Sequence, residues 1–541
     1  MGPDATSSSI PPVEIILDEI GTVIEPVAES TSLAPAVGIA VTGGGMITLP
    51  PDEAFDGRVG PGDGQRDSLR SGITQAGPVA IAGLIVNGAS ALVVVVVAHL
   101  VTSGAYGAIA QLLGLFFILS MPGSAVLVGV VRRVTTLRNM GRGDQVRQWV
   151  TKVHRLLLVA LGVELVVIWL LQGWIARELS LPNDHGVVLI LVAGGIWILL
   201  CVDRGLLQAR RRYRGLAANL MIEGAIRSVC VVGLVATGMG VSGYALGIFL
   251  GEVVATGHAR WLASRAWAVG GSADGGPVGA TAQPTAKPVV TGETVVSSDG
   301  GEPVNGAVIS KLLIADVSAA FVGLALLGLL QNVDVILLGR LDHANSGAYA
   351  AISVASKALV FGALALGSYL LPEATIRWNE GGHALRQLMV TLLFLAVPAM
   401  VLLSIAIVIP KWFLTLIFTA KLSTAAPAFA YLVVAMIFLC VSVLLTNYLF
   451  GAGRRWIVLI LLAGSGLAVT LVARADGKLV ATAQADLVVQ AVLAAAMTAA
   501  FVVVHHKVHG ERWRRQWATR EERSDRRRRN GSVIFASLPV E

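Results

Sequence analysis

From residue 76 onward the chain alternates between apolar runs of about 20 residues and short polar interruptions. At a rise of ~1.5 Å per residue, a helix of that length spans a hydrocarbon core ~30 Å thick. The runs fall at 76–101, 106–131, 155–175, 186–206, 217–238 and 242–262. After a long polar gap they resume at 312–337, 347–371, 387–409, 425–449, 456–473 and 485–504. A helix pairs its backbone groups within one segment, whereas an open sheet would leave them unpaired in lipid. The pattern predicts an all-α polytopic membrane protein with about twelve transmembrane helices in two six-helix lobes, 76–262 and 312–505.

The polar stretches complete the plan. Residues 1–75 are acidic and rich in Pro and Gly, with no basic start leading into an apolar core, so they read as a disordered arm rather than a signal peptide. Residues 263–311, rich in Gly, Ala, Ser, Thr, Val and Pro, read as a flexible linker. The tail 506–541 carries an arginine-rich run interleaved with Trp513 and Trp517, which suits anionic lipid headgroups. Lys and Arg collect in the interruptions at 132–155, 204–214, 261–311, 373–386 and 454–455, while the alternate ones are poor in both. The positive-inside rule then places both termini and the central loop in the cytoplasm.

Composition agrees with this plan and narrows the chemistry. Hydrophobic residues make up 55% of the chain and charged residues 14%, against ~25% charged in a soluble domain. The net charge of +7 sits in short loops and the tail, so it is no nucleic-acid footprint. Cys201, Cys230 and Cys440 lie in apolar runs without metal-ligand spacing and read as small hydrophobes. There is no GxxxxGK[ST] or HExxH motif, and the extracytoplasmic loops are too short to house paired catalytic carboxylates. The expectation is a protein that is not an enzyme, with no catalytic residue, metal or cofactor.

The two halves share a register. Ser103-Gly104-Ala105-Tyr106-Gly107-Ala108-Ile109 recurs as Ser346-Gly347-Ala348-Tyr349-Ala350-Ala351-Ile352, at an offset of 243 residues. Ala209, Arg211, Arg212 and Tyr213 match Ala452, Arg454, Arg455 and Trp456 at the same offset. A duplicated unit running in one direction gives lobes related by an axis along the membrane normal. Tyr106 and Tyr349 should then occupy equivalent places.

Three segments carry a resemblance: NVDVILLGRL…SGAYAAISVASKAL…YLLPEA, LVTSGAYGAIAQLLGLF with Arg132-Arg133, and RGLLQARRRY with its partner LLTNYLFGAGRRW. Together they resemble polysaccharide-biosynthesis flippases of the multidrug/oligosaccharidyl-lipid/polysaccharide (MOP) exporter superfamily, over about residues 75–505. The resemblance implies a MATE-like pair of six-helix lobes around a central cavity in the cell inner or plasma membrane. Alternating access would move a lipid-linked oligosaccharide outward for cell-surface polysaccharide assembly. The implied partners are that lipid-linked glycan, membrane lipids and polysaccharide-assembly proteins docking on the arm or tail. Two alternatives stand beside it. A cation-coupled multidrug exporter of the superfamily would be expected to carry an acid in its first helix, and 76–101 holds no Asp or Glu. A non-transporting scaffold would need few charges at mid-bilayer depth.

Charges inside the apolar runs are costly and mark function. Lys357 lies ~15 Å along its helix from Gly347, and Arg227, Glu164 and Glu252 reach similar depths from Ala217, Arg155 and Ser242. On the flippase reading Lys357 and Arg227 are the cavity cations for a lipid diphosphate. Glu252 and Glu164 can take up and release a proton and are the candidates for ion coupling. The alternative is ion pairing, of Arg227 with Glu223 one turn away, or of Arg227 and Lys357 with Glu252 and Glu164. Asp334 is expected to pair with Arg340 or cap the following turn, and Asp203 with Arg204 to anchor a helix end at the interface. Pro122, inside the second run, is expected to bend its helix.

Overall fold

The computed structural model describes residues 64–139, 142–179, 181, 185–270, 306–379 and 385–506. The expectations for the tail and for most of the arm and linker lie outside the described residues. Among the described residues twelve long helices follow one another, the first six being α1 Gly64–Leu100, α2 Ser103–Asn139, α3 Gly143–Glu178, α4 His185–Ala209, α5 Tyr213–Leu234 and α6 Gly240–Gly270. The second set is α7 Gly306–Leu341, α8 Ser346–Asn379, α9 Leu385–Val408, α10 Ala426–Gly451, α11 Ile457–Ala473 and α12 Leu479–His506. A short helix, Pro410–Ile417, precedes α10. Among the described residues there is no strand. Several helices outrun the apolar run that predicts them. α1 starts well before residue 76, and α6 and α7 reach into the stretch read as linker, because a helix does not stop where the oil stops.

The helix ends follow from local chemistry. Thr102 accepts the Ala105 N–H at 3.3 Å as α2 begins. Chain reversal between α5 and α6 uses Gly238 at φ 90° and Gly240 at φ 53°, a conformation that costs side-chain-bearing residues dearly. The α4 and α10 ends are alike: the Arg212 N–H reaches back to the Leu207 carbonyl at 2.9 Å, and the Arg454 N–H to Leu449 at 2.9 Å. The positive-φ residue is Arg211 in one turn and Gly453 in the other, one residue out of the 243 register.

Each lobe has its own packing, and the two patterns match. In the first, α1 packs on α5, α2 on α4, and α3 on α4. In the second, α7 packs on α11, α8 on α10, and α9 on α10. The related helices α3 and α9 are peripheral: over an 18-residue apolar stretch of each helix, 6% of α3 and 22% of α9 is buried, against 72% of α4. Outward apolar side chains on them, such as Leu158, Trp169, Phe394 and Val397, suit contact with acyl chains.

The lobes meet chiefly through α2, which packs along α7 from Gly129 beside Val317 to Gln111 beside Gly339. Pro122 lies inside α2, close to where Gly328 of α7 comes against Ile118 and Met121. The starts of α2 and α8 also touch. A Cβ on Gly107 would collide with Ser346, and one on Gly347 with the Ser103 carbonyl. Both contacts join the duplicated segments. Tyr106 and Tyr349, each three residues into its helix, are both buried there.

Candidate functional site: two buried charge networks

The polar residues of the core gather inside each lobe. In the first lobe α4, α5 and α6 converge on a quartet of two arginines and two glutamates. Close approach sets it up: a Cβ on Gly251 would lie 2.8 Å from Cβ of Arg227, so α6 comes near enough to bring Glu252 to that arginine. Arg227 donates from Nη1 to Glu223 at 2.7 Å and to Glu252 at 3.2 Å. Glu223 also pairs with Arg204, whose Nε donates to Asn219 at 2.8 Å and whose guanidinium lies 5.2 Å from the Trp197 ring centre. Asn219 in turn donates to the Ala255 carbonyl at 2.8 Å, tying α5 to α6. All four charged groups are buried. Two positive and two negative charges cancel, which is what makes the cluster tolerable at this depth. Nη2 of Arg227 has no partner, and neither has Oγ of Ser90. Both residues line a cavity of about 20 Å³ between α1, α2, α5 and α6, room for one water-sized group.

In the second lobe α7, α8 and α12 supply the charges. Lys357 Nζ lies 3.4 Å from Asp334 and 3.4 Å from the Asn332 side-chain oxygen. Ser353 donates to the other Asp334 oxygen at 3.4 Å. Asp486, close enough to interact electrostatically with both Asp334 and Lys357, accepts from Gln490 at 3.0 Å. Gln490 also donates to the Leu330 carbonyl, pinning α12 to α7. This group holds one more carboxylate than cations. Asp486 Oδ2 and the Gln490 side-chain oxygen lack partners.

Of the residues singled out from sequence, the structure joins Arg227 and Glu252. Lys357 stands in the other lobe, paired with Asp334. Glu164 is half-buried on α3 against Gly195 of α4, with no ion pair among the described residues. Two expectations need correction. Asp334 pairs with Lys357, and Arg340 reaches across the lobes to Glu178 at 2.6 Å. Residues 334 and 340 sit about 120° apart around one helix, so their side chains leave it on different faces. Arg204 and Asp203 do not form an interfacial pair. Arg204 belongs to the core quartet, while Asp203 holds Arg260 at 3.2 Å and His154 at 3.3 Å. Sequence reasoning passed over Asp486. A lone acid in an apolar run was the available signal. Among the described residues no group of three or more His, Cys, Asp or Glu is placed to hold a metal.

No protein-family model and no curated protein matches the sequence. Solved structures do match the fold. A MATE protein in complex with MaL6 aligns with TM-score 0.54 at 13% identity, over 81% of this chain and 96% of that one. The inward-facing form of a multidrug resistance MATE transporter of the MOP superfamily aligns with TM-score 0.51 at 12% identity, over 77% and 96%. A MOP superfamily transporter from Pyrococcus furiosus, distinguished by a binding pocket of reversed polarity, aligns with TM-score 0.51 at 13% identity, over 83% and 96%. The chain thus has the all-helical, two-lobe fold of the MATE transporters of the MOP superfamily.

Proposed function

We propose that this protein carries a lipid-linked oligosaccharide from the cytoplasmic to the outer leaflet by alternating access of its two lobes. The observation that supports this reading most is the asymmetry of the seam between them. α2 packs along α7, whereas α1 and α8, the pair related to it by the duplication, make no comparable contact among the described residues. A cargo with a polar head and a membrane-embedded tail needs a path of that kind, open sideways to lipid. With the basic loops inside, the edge where α2 and α8 begin is the outer one, and it is closed. Drug extrusion has less support, since the span Ile81–Leu100 carries no acid. The test is reconstitution of the purified protein in vesicles with a fluorescent polyprenyl-diphosphate oligosaccharide. Outward movement above protein-free vesicles is expected, and transport of cationic drugs in its place would overturn the assignment.

Two predictions belong to this reading. Single cysteines at positions 285 and 343 should differ in intact cells, with the second labelled by an impermeant thiol reagent and the first silent. The reverse pattern would invert the topology. Lys357 is the proposed diphosphate anchor. Its 3.4 Å contacts are long for charge-assisted bonds, which favour 2.7–2.9 Å, so donor capacity remains for cargo. Lys357→Ala/Asp334→Asn, which leaves no buried carboxylate stranded, should lose at least about tenfold in flipping with normal accumulation, and Lys357→Arg should keep part. If the pair with Asp334 is purely structural, Lys357→Ala misfolds and adding Asp334→Asn restores both folding and flipping.

A further inference from the structure

The basic end of the first lobe carries a further polar site, whose lining residues belong to neither charge network. α3 and α6 bound a cavity of about 210 Å³ lined by Arg147, Val150, Thr151, Arg260 and Ser264. Arg147 and Thr151 are four residues apart on α3, as are Arg260 and Ser264 on α6, so each helix presents one guanidinium and one hydroxyl residue. Both hydroxyls donate to their own helices, Thr151 to the Arg147 carbonyl at 2.9 Å and Ser264 to the Trp261 carbonyl at 2.8 Å. They shape the walls and leave the arginines to bind.

Arg260 is held before any ligand arrives. Buried Asp203 of α4 and the His154 ring both engage its Nη1 at 3.2 Å, yet half of the side chain stays exposed. The planar fork is thereby fixed in orientation, with its remaining nitrogens available, and the entropic cost of ordering it on binding is reduced. Arg147 is exposed and has no partner among the described residues. Asp203 is the one carboxylate in contact with the pair among those residues, so the cavity favours an anion.

The level of the cavity says which anion. Beside it, exposed Trp261 stacks under the Arg265 guanidinium at 3.9 Å, the pairing of ring and cation found where hydrocarbon gives way to water. Beyond the cavity α3 continues into the membrane span with Leu156, Val159 and Val163 turned outward. We propose that this cavity binds the headgroup phosphate of an anionic glycerophospholipid, between Arg147 and Arg260, with the acyl chains lying along α3.

The test uses the purified full-length chain in detergent, with thermal unfolding and native mass spectrometry run in parallel. The probes are phosphatidylglycerol, phosphatidylcholine and inorganic phosphate. Phosphatidylglycerol should stay bound and raise Tm, and the other two should do neither. Arg147→Gln and Ser264→Phe, which removes a donor or fills the cavity, should each weaken retention about fivefold to tenfold. Arg155→Gln, an exposed arginine on α3 that does not line the cavity, should change it by less than about twofold. Arg260→Gln strands Asp203, so the two preceding variants carry the decision. Equal retention of both lipids, or Arg147→Gln behaving as Arg155→Gln does, overturns the site. A rise in Tm with inorganic phosphate equal to that with phosphatidylglycerol would make the occupant a soluble phosphate and overturn the lipid assignment.

Discussion

Arg227→Met is expected to lower the stability of the protein by about 3–5 kcal/mol, the cost of leaving a buried charge without its partner. Glu252 is fully buried; one of its oxygens meets Arg227 and the other has no hydrogen bond. Glu223 keeps Arg204 when Arg227 goes, but Glu252 keeps nothing. Methionine matches the length of the arginine stem, so the loss is mainly electrostatic rather than a cavity. The double variant Arg227→Met/Glu252→Gln removes one charge of each sign and should recover most of the loss, since a neutral replacement for a buried pair is often close to neutral in energy. Unfolding in detergent, followed by denaturant titration for the parent, the two single variants and the double, measures the coupling. Additive single effects would mean that the two residues do not form a unit.

If the protein flips its cargo as proposed, Gly347→Leu is expected to abolish that movement while the protein still inserts and accumulates. Any side chain at 347 meets the Ser103 backbone, which has nowhere to go, so the edge where α2 and α8 begin cannot close. Helices in lipid associate where small residues let their backbones approach, and this contact is of that kind. The two lobes keep their own cores, so folding should survive. A cysteine placed at Tyr106, buried in the closed seam, should then become reactive in the Gly347→Leu background and stay protected in the parent. Full flipping by a well-expressed Gly347→Leu protein would show that this edge need not seal during the cycle.

Much of this architecture was legible in the chain because lipid imposes simple rules. Each apolar run became a helix, and the shared SGAY segments marked one of the places where the two lobes touch. Arg227 with Glu223 was legible too, since a spacing of four residues already places them together. What was not legible depended on which neighbour a helix meets. Arg204 lies near the end of its apolar run and looked interfacial, but its partners Asn219 and Glu223 arrive from the next helix. Lys357 finds Asp334 across the α7/α8 boundary, and Asp486 joins them from α12, more than a hundred residues further on. Patterns within one helix carry no record of such meetings. The turn after α4 shows a second limit: its register with α10 slips by one residue, which a fixed offset conceals.

The charge balance of each lobe has an electrical consequence. Two arginines and two glutamates make the first network neutral, so on the proposed function a rocking of that lobe would carry no net charge through the transmembrane field. The second network, with Asp334, Asp486 and one lysine, carries one negative charge when both carboxylates are ionised. Moving a full charge across the membrane is worth ~2.3 kcal/mol per 100 mV. Of the two networks, the second is therefore the one through which voltage would act on the cycle, and protonating one of its carboxylates would make the lobe blind to it.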